Sequence, residues 1–160
     1  MFRKLLTATR SSAAWLAAVR HYEAGQHDEA IAPLLKLYRL RSLSAPSTDA
    51  PLRANLLLAT LAYWTGQPEL LRASLATVIG QATGGAQSRN SPATLAYSLA
   101  YARLLDDLAG AHYGSRYQPI TTFPPTQPIG LAGVRSDFIR IFPLEVRKHD
   151  VAPNASFKVA

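Results

Sequence analysis

The feature that most constrains this chain is an internal repetition with an offset of 41 residues, as between Pro51 and Pro92. Shifting the sequence by that length superimposes prolines, glycines, tyrosines and a series of small or aliphatic residues. The coinciding positions are Pro51 and Pro92, Gly25 and Gly66, Tyr22 and Tyr63, the series Ala18, Ala59 and Ala100, and the series Ala17, Leu58 and Leu99. Repetition at a fixed period of about 20–50 residues is typical of folds built from stacked supersecondary units. A repeated unit is therefore expected over roughly residues 11–110.

The repeated unit is a pair of helices. Apolar residues recur at helical spacing upstream of residue 110, prolines stand where helices would begin, and Gly25 and Gly66 stand where helices would end. Ser91, directly before Pro92, has the character of an N-cap. The pattern predicts helices over 11–24, 28–41, 51–65, 68–80 and 91–109. Short turns at Gly25 and Gly66 predict antiparallel hairpins, and longer links over 42–50 and 81–90 join one hairpin to the next.

The segment from Ala14 to Leu37, AWLAAVRHYEAGQHDEAIAPLLKL, resembles the tetratricopeptide (TPR) helical repeats. It has a small residue midway along the first helix (Ala18), an aromatic residue before the turn (Tyr22), the turn glycine (Gly25) and an Asp-Glu-Ala-Ile run opening the second helix. The resemblance implies an all-α fold of two and a half hairpins stacked as a short TPR-like solenoid. HEAT-like repeats fit the period better and the motif less well, so they remain the alternative.

The chain divides by composition near Gly110. Of the eleven prolines, six lie in residues 111–160. We therefore expect a TPR-like helical repeat domain over residues 1–110 and an extended, Pro-rich docking tail over residues 111–160. Helix 51–65 is apolar on nearly every side and is expected to be the most buried helix. Two and a half units lack a final covering element, so we expect the tail, a second copy or a foreign partner to cover the last face.

The residue types in the chain argue against several classes of function. The chain has no cysteine, which excludes disulfide scaffolds, Cys-ligated zinc and thiol nucleophiles. Its four histidines include no pair spaced for two metal ligands on one helical face, so we expect no metal and no cofactor. Asp106 and Asp107 point about 100 degrees apart on a helix and are interpreted as a solvated helix end rather than an acid/base pair. We expect the protein not to be an enzyme.

Aromatic residues indicate a partner-binding surface. In TPR-like repeats the first helices of successive units line a concave groove, which the resemblance carries over to this chain and which Tyr97 and Tyr101 would extend. The predicted groove residues are Trp15, Val19, Tyr22, Glu23, Leu56, Thr60, Tyr63 and Trp64. Tyrosine and tryptophan offer large contact area at low entropic cost, which suits a peptide or helix. Burial of Trp15 and Trp64 between helices would instead assign these residues to the core.

The tail contains an apolar run, SDFIRIFPLEV, after a proline-rich stretch that enforces an extended path. Such a run rarely stays exposed, and Pro143 limits it to one short turn capped by Ser136 or to an edge strand. We expect residues 136–146 to pack on the helices, with Phe138, Ile141 and Phe142 as anchors. The anchors would dock in the same chain, on another protein, or in a second copy, which would make a homo-oligomer through the tail.

The sequence therefore predicts a non-enzymatic adaptor or assembly subunit with a protein or peptide partner. The alternative is a basic accessory factor on an anionic surface such as RNA or a membrane, motivated by the net charge of +7 and by Arg3, Lys4 and Arg10. We expect a cytoplasmic protein. An N-terminus without acidic residues before Glu23 leaves an organelle matrix as the alternative compartment.

Overall fold

The computed structural model describes residues 2–38, 52–84, 90–125 and 130–144. Five long helices precede a short sixth one: α1 (Phe2–Glu23), α2 (His27–Tyr38), α3 (Leu52–Trp64), α4 (Pro68–Thr83), α5 (Pro92–Tyr113) and α6 (Ser136–Ile141). A 3₁₀ turn over Gly114–Arg116 follows α5. No strand occurs within these described ranges, which confirms the prediction of an all-α fold. The predicted link over 42–50, His149 and the tail beyond Leu144 lie outside the described residues.

The two predicted hairpin turns share one backbone geometry. Gly25 and Gly66 have φ of +76° and +72°, a left-handed conformation that a side chain disfavours. One residue further on, the amide of Gln26 donates to the His21 carbonyl at 2.8 Å, and that of Gln67 donates to the Ala62 carbonyl at 3.0 Å. This bond from the residue after the glycine back to the last turn of the helix satisfies a helix carbonyl that would otherwise lack a partner. Both hairpins are therefore closed by the same glycine-dependent motif.

Proline and serine mark the helix starts as predicted. Pro68 and Pro92 occupy the first positions of α4 and α5. The Ser91 side chain accepts a hydrogen bond from the amide of Thr94 at 3.2 Å, which confirms it as an N-cap. The larger differences lie at three ends, one of which is that of α4, which continues to Thr83 rather than to residue 80. α1 begins nine residues earlier than predicted, and α5 continues to Tyr113, past the compositional break at Gly110.

Helix α3 forms the centre of the core. Its residues from Ala54 to Tyr63 are all buried, as the all-round apolar sequence predicts. It packs closely against α4, its partner in the hairpin, and also contacts α2 and α5, while α1 packs against α2. Ala18 and Ala59, the coinciding small residues of the repetition, are both fully buried. Small side chains at these positions allow neighbouring backbones to approach closely.

A row of aromatic rings joins the ends of three helices. His27, at the start of α2, stacks on Trp64 at the end of α3, with ring centroids 5.2 Å apart and planes 13° from parallel. Trp64 meets Tyr63 edge-on, and Tyr63 meets Tyr113 of α5 edge-on at 5.9 Å. Edge-to-face and stacked pairs of this kind add to the energy of apolar burial. The row connects the first hairpin turn to the C-terminal end of α5.

The expectation that Asp106 lies at a solvated helix end is wrong. Asp106 is buried, and its carboxylate accepts hydrogen bonds from the Tyr117 hydroxyl at 2.5 Å and from the amide of Ile120 at 3.1 Å. Burial and the Asp106 carboxylate raise the pKa of the Tyr117 phenol, so Tyr117 stays a neutral donor. Asp106 thereby attaches the chain after α5 back onto that helix.

The run after the proline-rich stretch forms the predicted short turn of helix, α6, but Ser136 is not its cap. Arg135 occupies the N-cap position with no side-chain hydrogen bond. The Asp137 carboxylate accepts from the amide of Phe138 at 3.1 Å, within the first turn. Pro143 follows directly after the end of the helix at Ile141 and Phe142, where its missing N–H and rigid ring prevent continuation.

We expect the substitutions Ala18→Leu and Ala59→Leu each to lower the free energy of unfolding by about 1–3 kcal/mol, because extra methylene groups overpack the buried helix contacts. Chemical denaturation of each variant measures the change. The matched control is Ala76→Leu on the exposed face of α4, which should stay within about 0.5 kcal/mol of the parent. Unchanged stability of both buried variants would contradict the close packing of these helices.

Two glycines of opposite conformation give a second test. Gly25→Val should destabilise the chain, because φ of +76° is strained for a β-branched residue even though no atom lies within 4 Å of the added Cβ. Gly80, inside α4 with equally open space, provides the contrast. Gly80→Ala should raise the free energy of unfolding by about 0.5–1 kcal/mol, because alanine loses less backbone entropy in a helix. Melting curves that shift in the same direction for both variants would contradict the turn geometry.

The aromatic row predicts a pH dependence of stability. Burial lowers the pKa of His27 below its ordinary value of 6.5, and this effect exceeds the opposing attraction of Asp28. Because the folded chain holds His27 neutral, the unfolded chain binds more protons as pH falls through about 6.5. Stability should therefore be complete above that pH and decline below it. Unfolding measured at several pH values should show a shallower decline for His27→Gln, and an identical decline would contradict the assignment.

Candidate protein-binding site

Residues 136–144 lie against three of the long helices. The contact surface, termed here the α6 seat, consists of Glu23 of α1, Arg53 of α3, and Tyr97 and Tyr101 of α5. Phe138, Ile141 and Phe142 are buried, and the Phe142 ring lies 5.3 Å from the Tyr101 ring. The three anchors proposed from the sequence are thus in contact with the helices of the same chain. Their spacing of three and four residues puts them on one side of the turn.

Tyr97 binds the backbone of this segment through its hydroxyl. Its hydroxyl donates to the carbonyl of Phe142 and accepts from the amide of Leu144 at 2.9 Å. Tyr97 is itself almost fully buried. A buried hydroxyl that both donates and accepts satisfies two main-chain groups that follow the end of α6. It therefore holds the path of the chain at Phe142–Leu144.

Two ion pairs flank the apolar contacts. Arg53 pairs with Asp137 at 3.2 Å, and Arg140 pairs with Glu23. The first pair is mostly covered, whereas the second is largely exposed to solvent. The guanidinium of Arg53 also lies over the Trp15 ring, 4.6 Å from its centroid. Asp137 and Arg140, three positions apart in the segment, thus each meet a residue of opposite charge on the long helices. This arrangement specifies one orientation of the segment on the helices.

The groove residues predicted from the sequence are for the most part in the core. Those with almost no exposed surface are Trp15, Val19, Leu56, Thr60 and Tyr63. All of them except Thr60 belong to the same hydrophobic cluster as the tail anchors. Tyr22 and Trp64 are half-buried at the aromatic row, and Glu23 is exposed beside Arg140. The groove lined by first helices is therefore not open at these positions. Phe142 covers the ring of Tyr101, which the sequence predicts as an extension of the groove.

An open apolar cleft lies instead on the outer face of α5. The cleft, termed here the α5 cleft, has a volume of about 260 Å³. Its lining is a helical stripe of α5 and the extended chain that runs beside it: Pro92, Leu95, Ala96, Leu99, Ala100, Arg103, Phe123, Pro124 and Pro125. Sequence reasoning missed this site. The sequence pattern that could have indicated it is the four-residue spacing of Leu95, Leu99 and Arg103. This spacing places the three residues on the face of α5 opposite the buried Tyr97 and Tyr101.

The repetition relates the α5 cleft to a covered face of α3. Subtracting 41 from Leu95, Ala96 and Leu99 gives Ala54, Asn55 and Leu58, all of which are buried. The Asn55 amide donates to the Gln81 side chain of α4 at 3.2 Å, so α4 covers that face. Within the described ranges, the equivalent face of α5 carries only the extended residues Phe123–Pro125. The cleft therefore corresponds to a position that a helix occupies one unit earlier.

Histidine and carboxylate side chains are spread over the described part of the chain. No three histidine or carboxylate side chains lie close enough together there to hold a metal ion. Asp107 lies largely exposed on α5, but its partial desolvation and the negative charge of the neighbouring Asp106 raise its pKa above the ordinary value. His21 bonds through Nδ1 to the Gln26 side chain at 2.8 Å, and His27 stacks on Trp64. These imidazoles thus serve the first hairpin turn.

Among the helices whose residues are described, none is both long and apolar enough to cross a membrane.

Comparisons of the chain with models of protein families, with curated protein sequences and with solved structures yield no match.

Proposed function

We propose that this protein is a non-enzymatic adaptor or assembly subunit of TPR-like architecture, which binds a helical segment of a protein partner in the α5 cleft. The observation that carries the proposal is the open, apolar helix face at Leu95–Leu99, whose counterpart in the preceding unit is covered by α4. A solenoid unit buries its apolar face only against a neighbour. A partner helix would complete the third hairpin as α4 completes the second.

The lining of the cleft supports a helix as the ligand. Ala96 and Ala100 are one turn apart and let a second backbone approach, while Leu95, Leu99 and Phe123 offer apolar walls. An amphipathic helix docks in such a groove through apolar residues at spacings of three and four.

The proposal is tested by site-specific photo-cross-linking from the α5 cleft in cells that express the chain. A cross-linker at Leu99 should capture one protein partner, whereas a cross-linker at the exposed Ala76 of α4 should not. The partner is then purified, and its affinity is measured against the parent chain. Leu99→Asp should weaken binding at least about tenfold, since a charge in an apolar contact costs more than the roughly 1.4 kcal/mol this corresponds to.

The control variant Ala76→Asp places the same charge on the exposed face of α4 and should leave the affinity unchanged. Melting curves of both variants verify that the helices remain folded. The dependence of binding on salt concentration distinguishes the proposal from the alternative, in which the partner is an anionic surface. Apolar docking should change little between about 0.1 and 0.5 M salt, whereas binding to phosphates weakens steeply. Equal capture from both positions, or steeply salt-dependent binding that ignores Leu99→Asp, would contradict the proposal.

A further inference from the structure

Residues 136–144 are held by contacts of the kind that bind a separate peptide. Three apolar anchors lie on one side of a single helical turn, two ion pairs set its direction, and the Tyr97 hydroxyl bonds to main-chain groups. Main-chain bonds combined with side-chain pockets give both affinity and selectivity in peptide recognition. The α6 seat is therefore chemically equivalent to an occupied peptide site.

Helix α6 depends on the seat for its conformation. It has six residues, far fewer than the roughly 12–15 that a helix in water needs to be marginally stable. The chain that leads to it carries no helix in its described parts, 117–125 and 130–135. Its entry point is fixed at the start of α5, where the Ser91 hydroxyl donates to the Gly133 carbonyl at 2.7 Å and the Arg135 amide donates to the Thr94 hydroxyl at 3.1 Å. The segment thus behaves as a tethered ligand that folds where it binds.

We propose that residues 136–144 are a built-in ligand of the α6 seat, and that a partner protein binds there by presenting a segment of the same chemistry. The partner segment carries an acid where Asp137 stands, aromatic residues at the positions of Phe138 and Phe142, a base at that of Arg140 and an aliphatic residue at that of Ile141. It displaces the tethered segment and takes over its contacts. This second site is separate from the α5 cleft, and neither depends on the other.

Charge sets which segments the seat accepts. Arg53 is directed toward Asp137 and also lies over the buried Trp15 ring, which limits the positions its guanidinium can occupy. Glu23 stands at the far end of α1 and meets Arg140. A segment with the two charges exchanged would put like charges together at both ends, which is unfavourable at contact distance. The seat therefore distinguishes a segment from its charge-reversed counterpart, although both have the same apolar anchors.

The test uses the full chain with a protease recognition sequence inserted between residues 125 and 130. The chain is purified folded and then cut at that site, so that the segment is held only by its contacts. A fluorescent peptide with the sequence of residues 133–144 is added in excess and followed by fluorescence anisotropy. We expect saturable exchange of the peptide for the cut segment, with the circular dichroism of the long helices preserved. A peptide with Phe138→Asp and Phe142→Asp is the control and should not bind.

A charge-reversal pair shows whether exchange occurs at the α6 seat. The peptide with Arg140→Glu should bind about three- to fivefold more weakly, as for a solvent-exposed ion pair. A chain with Glu23→Arg should restore that affinity and weaken binding of the parent peptide. Release of the cut segment only when the long helices unfold would overturn the proposal and make residues 136–144 part of the core. Elution of the uncut chain as a dimer would overturn it in favour of exchange between two copies.

Discussion

The rest of the structure depends on the burial of helix α3 on all of its faces. A helix without a polar face is stable only if neighbours surround it, and α3 has α4 beside it in the hairpin, α2 before it and α5 after it. The neighbours can approach because alanines stand at the repeated contact positions, with Ala59 fully buried. The aromatic row and the closed glycine turns then align the helix ends around α3. All of these features serve the burial of one apolar helix.

Much of the fold follows from sequence because its determinants are local. Proline at a helix start, a serine cap before Pro92 and glycine at a left-handed turn act through adjacent backbone atoms, so their positions define helix ends within a few residues. The structure confirms the helices, the Ser91 cap and the buried character of α3. The TPR-like stacking and the adaptor role rest on resemblance and on proposal, because a local pattern does not say what the stacked surface binds.

Three features differ from the sequence-based expectation because of tertiary contacts rather than local pattern. In the sequence, Asp106 has the pattern of half of an exposed acidic pair. In the fold, the Tyr117 hydroxyl and the Ile120 amide donate hydrogen bonds to its carboxylate. The predicted groove residues have a spacing that fits either a groove or a core, and tertiary packing buries most of them. Helical spacing reports which residues share a face, but it does not report what covers that face. The α5 cleft has the same origin, since its second wall comes from Phe123–Pro125, about 20 positions beyond the helical stripe.

The pairing of Glu23 with Arg140 joins positions 117 residues apart. Chain synthesis therefore completes the α6 seat well before it supplies the segment that covers it. Between the end of α5 at Tyr113 and Leu144 the ribosome adds about thirty residues, which takes roughly 2–6 s at 5–20 residues per second. During that interval the surface that Phe138 and Phe142 later cover is open to water on the nascent chain. The nascent helical bundle thus passes through a period in which the α6 seat is complete but uncovered.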